Sequence, residues 1–422
     1  MKLNSLFCES MVLQRDISIP VWGWAEPGEA IEVSLAGKTL KTKADASGSF
    51  RVAFAPLPAG GPHILSVRGA KDHLTSKNVM VGEVWVASGQ SNMEWQVAMS
   101  QDGEAECASA DHPQLRMFTV PKKAIMQPQA DVEGVWEVCT PYTVGTFSAV
   151  GYFFARELQQ RLGGIPVGII NTSWGGTLAE AWTSREGLLV EPELKHMIED
   201  SDRAHQYCTL FPAMIRDWRR AWGLPAPAKA GAPGGDFAFH FVQLANYMPE
   251  QPKPGESAWA ELREAQRLTL REPNTGMAVT LDIGDGADIH PTNKQDVGRR
   301  LAYSALVTVY GQPLAGSGPA PRDWESKDGV MRVRFDHTEG GLVTHDHGPV
   351  RGFAIAGANR IFHWAWARIE DDTVIVRHPH VPNPVAVRYA WADNPVFNLG
   401  NGAGLPATPF KTDDWPWTTQ PK

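Results

Sequence analysis

Three loops carry the residues whose types and settings suit acyl-group transfer. Ser91 stands in Gly89-Gln90-Ser91-Asn92-Met93, directly after the apolar run Val81-Gly82-Glu83-Val84-Trp85-Val86-Ala87. A sharp turn out of a buried strand presents a hydroxyl at the carboxyl edge of a sheet, where a nucleophile is useful. Met93 occupies the place of the second glycine in a G-x-S-x-G elbow, which argues against an α/β-hydrolase. A hydroxyl nucleophile needs a base, and the base needs a partner that fixes its tautomer. His290, in Asp288-Ile289-His290-Pro291, is the candidate base; Asp288 is near enough in sequence to orient it, with Asp282 and Asp285 as rivals in the same loop. The third loop is Asn171-Thr172-Ser173-Trp174-Gly175-Gly176-Thr177, where paired glycines let the backbone approach a ligand and aim an N–H at a developing oxyanion. Singly, these read as a Gly-x-Ser turn, a loop histidine and a Gly-Gly turn. Together, at three strand ends, they argue for a site.

The elements that must hold these loops follow from periodicity. From Ile17 to about Met80 apolar residues alternate (Ile17/Ile19/Val21, Ile31/Val33/Leu35, Phe50/Val52/Phe54), with turn chemistry between them, as in Asp45-Ala46-Ser47-Gly48. This predicts an N-terminal β-sandwich over residues 1–80. From Val81 to about residue 312 apolar strands alternate with amphipathic helices. Ser148 should cap a helix that buries Val150, Phe154, Leu158 and Leu162; strands are expected at Ile165 to Asn171, Phe237 to Ala245 and Met277 to Ile283. Further helices carry Leu210, Met214, Ile215, Trp218 and Trp222, start near Ser257, and follow His290-Pro291. The fold class expected is α/β, a parallel sheet flanked by helices. A Pro/Ala/Gly linker covers 224–235. Beyond residue 313 the pattern returns to strands, giving a β-rich C-terminal region over 313–422.

Composition narrows the function classes. With 39 Lys and Arg against 47 Asp and Glu, a net charge of −8 disfavours nucleic acid and anionic membranes as partners. No apolar run approaches the ~18–20 residues of a spanning helix. The opening Met1-Lys2-Leu3-Asn4-Ser5 lacks the apolar segment of a signal peptide, so a cytoplasmic location is the default expectation. Cys8, Cys107, Cys139 and Cys208 show no C-x-x-C spacing, and structural free thiols are expected. His345-Asp346-His347 is metal-like only superficially and is read as a turn. His363-Trp364-Ala365-Trp366 is read as core packing, and Asp413-Asp414-Trp415 as a surface segment. The 16 tryptophans suit both sandwich cores and sugar stacking.

The strings VGEVWVASGQSNMEW, PVGIINTSWGGTLAEAW and DIHPTNKQDVGRRLA, with FPAMIRDWRRAW, HFVQLAN, MVLQRDISIPVWGWAEPGE and NPVAVRYAWADNP, resemble the sialate O-acetylesterase family of SGNH hydrolases along nearly the whole chain. The resemblance implies an SGNH-like, flavodoxin-like sheet and a serine esterase acting on O-acetylated sugars. It implies Ser91 as nucleophile, His290 as base, Asp288 as orienting partner, and the main-chain N–H groups of Ser91 and Gly175 as the oxyanion hole. Gln90, Asn92, Asn171 and Trp174, in the same loops, are expected to meet substrate. No metal or organic cofactor is expected, and family members are often periplasmic or secreted. The family's W-Y-Q-G-E-S-N-like string, whose Asn is a further oxyanion donor, has no counterpart here, and neither does its inserted β domain. Either an internal deletion near 187–201 or a shortened form of the chain accounts for both. Losing one donor typically costs ~10²–10³ in turnover, so weakened activity is expected. The alternative is a catalytically inactive carbohydrate-binding relative.

Overall fold

Period-two alternation shapes the chain from its start. β1 (Lys2–Leu3), β2 (Val12–Gln14), β3 (Ile19–Trp24), β4 (Ala30–Leu35), β5 (Lys38–Lys43), β6 (Ser49–Phe54) and β7 (Gly60–Arg68) are short strands joined by tight turns. The Asp45–Ser49 turn forms because the Asp45 carboxylate accepts from the Ser47 and Ser49 amides (2.8 and 3.0 Å), while Gly48 takes φ +83°. Sheet β1-β3-β6 and the antiparallel strands β5, β4 and β7 share a core that includes Ile19, Val21, Ile31, Val33, Phe50 and Val67.

This computed structural model describes residues 1–125, 127–191, 194, 204–223 and 237–420. They group into two compact units, Met1–Thr177 and Leu178–Lys422. The expected linker at 224–235 lies outside the described residues, and the interval near 187–201 is described only at 187–191 and 194.

In the first unit, β8 (His73–Ala87) serves two arrangements at once. Its first half pairs antiparallel with β7, and its second half runs parallel to β11 (Val167–Asn171). β11 is also parallel to β9 (His112–Thr119), which pairs antiparallel with β10 (Trp136–Cys139). The backbone thus passes the expected division at residues 80 and 81 inside one strand. What changes there is burial: alternating up to Asn78, then continuous from Val79 to Glu83, where β2 pairs with it and β7 gives way to β11 at Glu83. Helices α1 (Ser91–Glu94) and α2 (Gly103–Ser109) follow. α3 (Ala149–Arg161) begins, as expected, at an N-cap on Ser148, whose Oγ accepts from the Gly151 amide (3.1 Å).

In the second unit, α4 (Arg185–Val190) and α5 (Tyr207–Ala221) precede β12 (Phe239–Val242), which runs parallel to β13 (Thr275–Ala278). α6 (Ala258–Thr269) starts where expected, capped by Ser257, and α7 (Lys294–Thr308) is capped by Asn293. β13 stops short of the expected Ile283 because side chains replace the ladder beyond Ala278. Arg300 Nη1 donates to the Val279 carbonyl and Thr280 Oγ1 to that of Gln243, each at 2.7 Å. The C-terminal region is β-rich, with two four-stranded antiparallel sheets whose Phe335, Phe353, Tyr389 and Phe410 share one core with Phe211 of α5 and Phe241 of β12.

Two expectations here need correction. Asp413 is not a surface residue: its side chain is 1% exposed and accepts from Arg388 at 2.9 and 3.2 Å, with Lys411 at 3.3 Å. Trp366 does not pack inside but is 61% exposed under the Arg377 guanidinium, and His363 stacks on His378 instead. All four cysteines are free thiols, and Asp346 is spent on its turn, accepting from Asn398, the Gly348 amide and Arg351. Among the described residues no helix is long and apolar enough to cross a membrane.

One buried group sets an acid limit. His240 on β12 shares hydrogen bonds with Ser304 (2.9 Å) and Thr308 (3.3 Å), and burial pushes its pKa down to about 4. The unfolded chain takes up this proton below about pH 6.5 and the folded chain only near 4, so stability falls as pH drops through that window, by about 3 kcal/mol for this group. Urea denaturation between pH 7 and 4.5 should show a shallower acid loss in His240→Asn than in the parent.

Candidate active site

The Ser91 turn is built by the sheet behind it. Where β8 ends, Gly89 takes φ +148°, a value that suits glycine, and the chain folds into α1 with Ser91 at its head. α1 is locked from behind, since Ser148 Oγ donates to the Met93 carbonyl (2.6 Å) and the Ala149 amide to that of Trp95 (2.7 Å). The capping serine of α3 therefore also places the Ser91 turn.

The loop after β11 is sewn to the loop after β8. The Thr172 amide donates to Ala87 O and the Trp174 amide to Gly89 O, both at 2.8 Å. Asn171 Oδ1 accepts from the Ser173 amide (3.1 Å) and hydroxyl (2.7 Å), which curls the chain toward the glycines. Gly175 comes against Ser91 as a result. A Cβ built on it would stand 3.4 Å from the Ser91 Cβ, at ordinary contact distance, and 3.0 Å from Glu94 Oε2, so a side chain here would press on the carboxylate. Gln90 is exposed, Asn92 and Trp174 are partly exposed, and Asn171 is buried in its own turn.

Two residues of this loop cluster were not foreseen. Glu94, three positions after Ser91, accepts from the Gly175 amide at 2.6 Å through Oε2. Its other oxygen pairs with Lys122, just beyond β9. The Lys122 hydrogen bond, with help from the Gly175 amide, holds the Glu94 carboxyl below the usual carboxylate range. The sequence signal was the proximity of Glu94 to Ser91 in one short motif; its partners are set only by folding.

In the second unit, the loop between β13 and α7 carries His290. Of its aspartates, Asp282 is held by Arg300 in a two-pronged pair (2.6 and 2.7 Å), and Asp285 accepts from the Ala287 amide (2.8 Å). Asp288 accepts from the His290 amide (2.8 Å) and lies 3.6 Å from its Nδ1. The ring is about a third exposed, at 31%. Lys294, at the start of α7, is buried, and desolvation lowers its pKa to about 8 against the opposing pull of Asp288. The arrangement offers a half-buried hydroxyl with an amide beside it in one unit, and an imidazole with a carboxylate at its Nδ1 in the other.

Known proteins give this geometry a context. The profile of carbohydrate esterases described as sialic acid-specific acetylesterases matches residues 81–223, which include the Ser91 and Gly175 loops. The chain is 25% identical to the sialate O-acetylesterase of Mus musculus, over 95% of this chain and 92% of that one, and 27% identical to that of Homo sapiens, over 79% and 76%. The mouse alignment runs over 512 positions against 422 residues here, so the mouse protein holds segments absent from this chain. A solved carbohydrate acetylesterase from Xanthomonas citri is 42% identical, with a TM-score of 0.89, covering 98% of this chain and 100% of its own.

Proposed function

Because the chain belongs to the sialate O-acetylesterase family of carbohydrate esterases, we propose that it is a serine esterase that removes O-acetyl groups from sialic acid or another acetylated sugar. The observation that carries this reading is the seating of the Gly175 amide beside Ser91 at the carboxyl ends of two parallel strands. His290 takes the Ser91 proton as Oγ attacks the acetyl carbonyl, and Asp288 orients the ring and offsets its charge. The amides of Ser91 and Gly175 hold the oxyanion. Collapse expels the sugar hydroxyl, which receives the proton from His290. Water, deprotonated by His290, then splits the acyl-enzyme and releases acetate.

Segment 81–312 carries these steps in an SGNH-like sheet, flanked by the β-sandwich of 1–80 and the β-rich 313–422. Gln90, Asn92 and Trp174 line the approach, and Asn171 acts by shaping its loop. The Asn donor implied by the family string is missing from the sequence, so turnover is set low, by roughly 10²–10³ relative to a site that has it. The Xanthomonas acetylesterase, matched over its whole length, supports a working enzyme of this extent.

A second reading, a relative that binds sugars without hydrolysing them, is favoured by the Glu94 carboxylate resting on the Gly175 amide. A fluorophosphonate probe with acetate release from O-acetylated sugars separates the two. Esterase activity predicts a mass increment on Ser91 and free acetate. Sugar binding with neither favours the inactive relative.

A further inference from the structure

An ionised side chain already sits on the amide that the proposed reaction needs. Gly175 N–H donates to Glu94 Oε2 at 2.6 Å, and Lys122 holds the second oxygen from outside. A carboxylate on an amide beside a nucleophile has the chemistry of the product, since acetate is also a carboxylate. It takes the one hydrogen bond that the Gly175 N–H would give an acyl oxygen, and Gly175 and Ser91 lie close, a Cβ on the glycine standing 3.4 Å from the Ser91 Cβ. Charge-assisted hydrogen bonds to carboxylates are the stronger kind, so this contact competes with any incoming group.

We propose that Glu94 is a tethered product mimic that refills the oxyanion site after each turnover, yielding to a neutral ester and excluding free acetate. This rests on the esterase reading of Ser91 and Gly175. Tethering is what gives Glu94 its advantage. A side chain anchored in α1 presents its carboxylate at an effective concentration in the millimolar range or above, which dissolved acetate must exceed. Lys122, 44% exposed at the rim, offers the displaced carboxylate a place to remain paired. Glu94 thereby acts as a specificity-determining residue. Small anions are rejected, and an acetyl group presented by a bound sugar enters because the sugar's own contacts supply the energy of displacement.

The test reads the site without turnover. In a Ser91→Ala background, the Gly175 amide resonance is followed by NMR during titration with sodium acetate, with and without Glu94→Ala. The inference expects acetate to shift the Gly175 amide at concentrations at least about tenfold lower once Glu94 is removed, with Glu94→Gln between the two. With Ser91 intact, the inhibition constant of acetate against aryl acetate hydrolysis should fall by a similar factor in Glu94→Ala. Equal acetate titrations in the two backgrounds would overturn it. So would a Gly175 amide whose shift ignores the Glu94 substitutions. If Ser91→Ala instead leaves hydrolysis intact, the esterase reading fails separately, because the NMR titration reports acetate at Gly175 whatever residue is the nucleophile.

Discussion

Ser91→Ala is expected to lower kcat for acetate release by roughly 10⁴-fold or more, with unfolding free energy changed by about 1 kcal/mol at most. The loss is large because the substitution removes the atom that forms the acyl-enzyme, leaving only binding and the backbone amides to act on a water attack. The fold should survive because the turn is held by other groups: Gly89 by its φ, α1 by Ser148, and the neighbouring loop by main-chain bonds to Ala87 and Gly89. His290→Ala should cost a comparable factor, and the double variant little more than either single one, since the two act as a unit. Steady-state hydrolysis of 4-nitrophenyl acetate with thermal unfolding as control measures all three. Full activity in Ser91→Ala would remove the serine from the mechanism.

Arg263→Ala should be the most damaging single change to stability, by about 3–5 kcal/mol. Arg263 on α6 is fully buried and donates to four carbonyls: Leu244 (2.8 Å), Ala245 (2.8 Å), Ala392 (2.6 Å) and Asp393 (2.8 Å). These belong to the segment leaving β12 and to the C-terminal region, so one guanidinium fastens two stretches distant in sequence. Alanine would orphan four buried acceptors and leave a void. Arg263→Lys should recover only part, because an ammonium is a point donor and cannot span a planar fan of carbonyls. Urea denaturation should show a lowered midpoint with an unchanged slope. A loss under about 1 kcal/mol would mean that the segments hold one another without this residue.

The buried pairs share a lesson about charge. Asp413, in an acidic and aromatic tail, suggested a solvated segment, yet Arg388 and Lys411 draw it inside. A carboxylate can be buried when its cations come with it, and those cations lie on strands whose meeting is a tertiary event.

By itself, the sequence determined whatever depends on neighbours along the chain. Alternation placed the early strands, and Ser148 was legible as a cap because a cap bonds an amide three residues on. The Ser91, Gly175 and His290 loops stood out because glycines and a serine or histidine at strand ends are local patterns. Tertiary structure alone decided which groups meet. Sequence proximity favoured Asp288 over its rivals Asp282 and Asp285, and the fold shows Arg300, on the next helix, holding Asp282 while Asp288 lies 3.6 Å from the His290 Nδ1. The change of period at residue 81 marked a change of surroundings along one unbroken strand, since period reports burial and not backbone breaks. Glu94 met the Gly175 amide across 81 residues, a contact no spacing rule encodes because it is fixed by the register of β8 against β11.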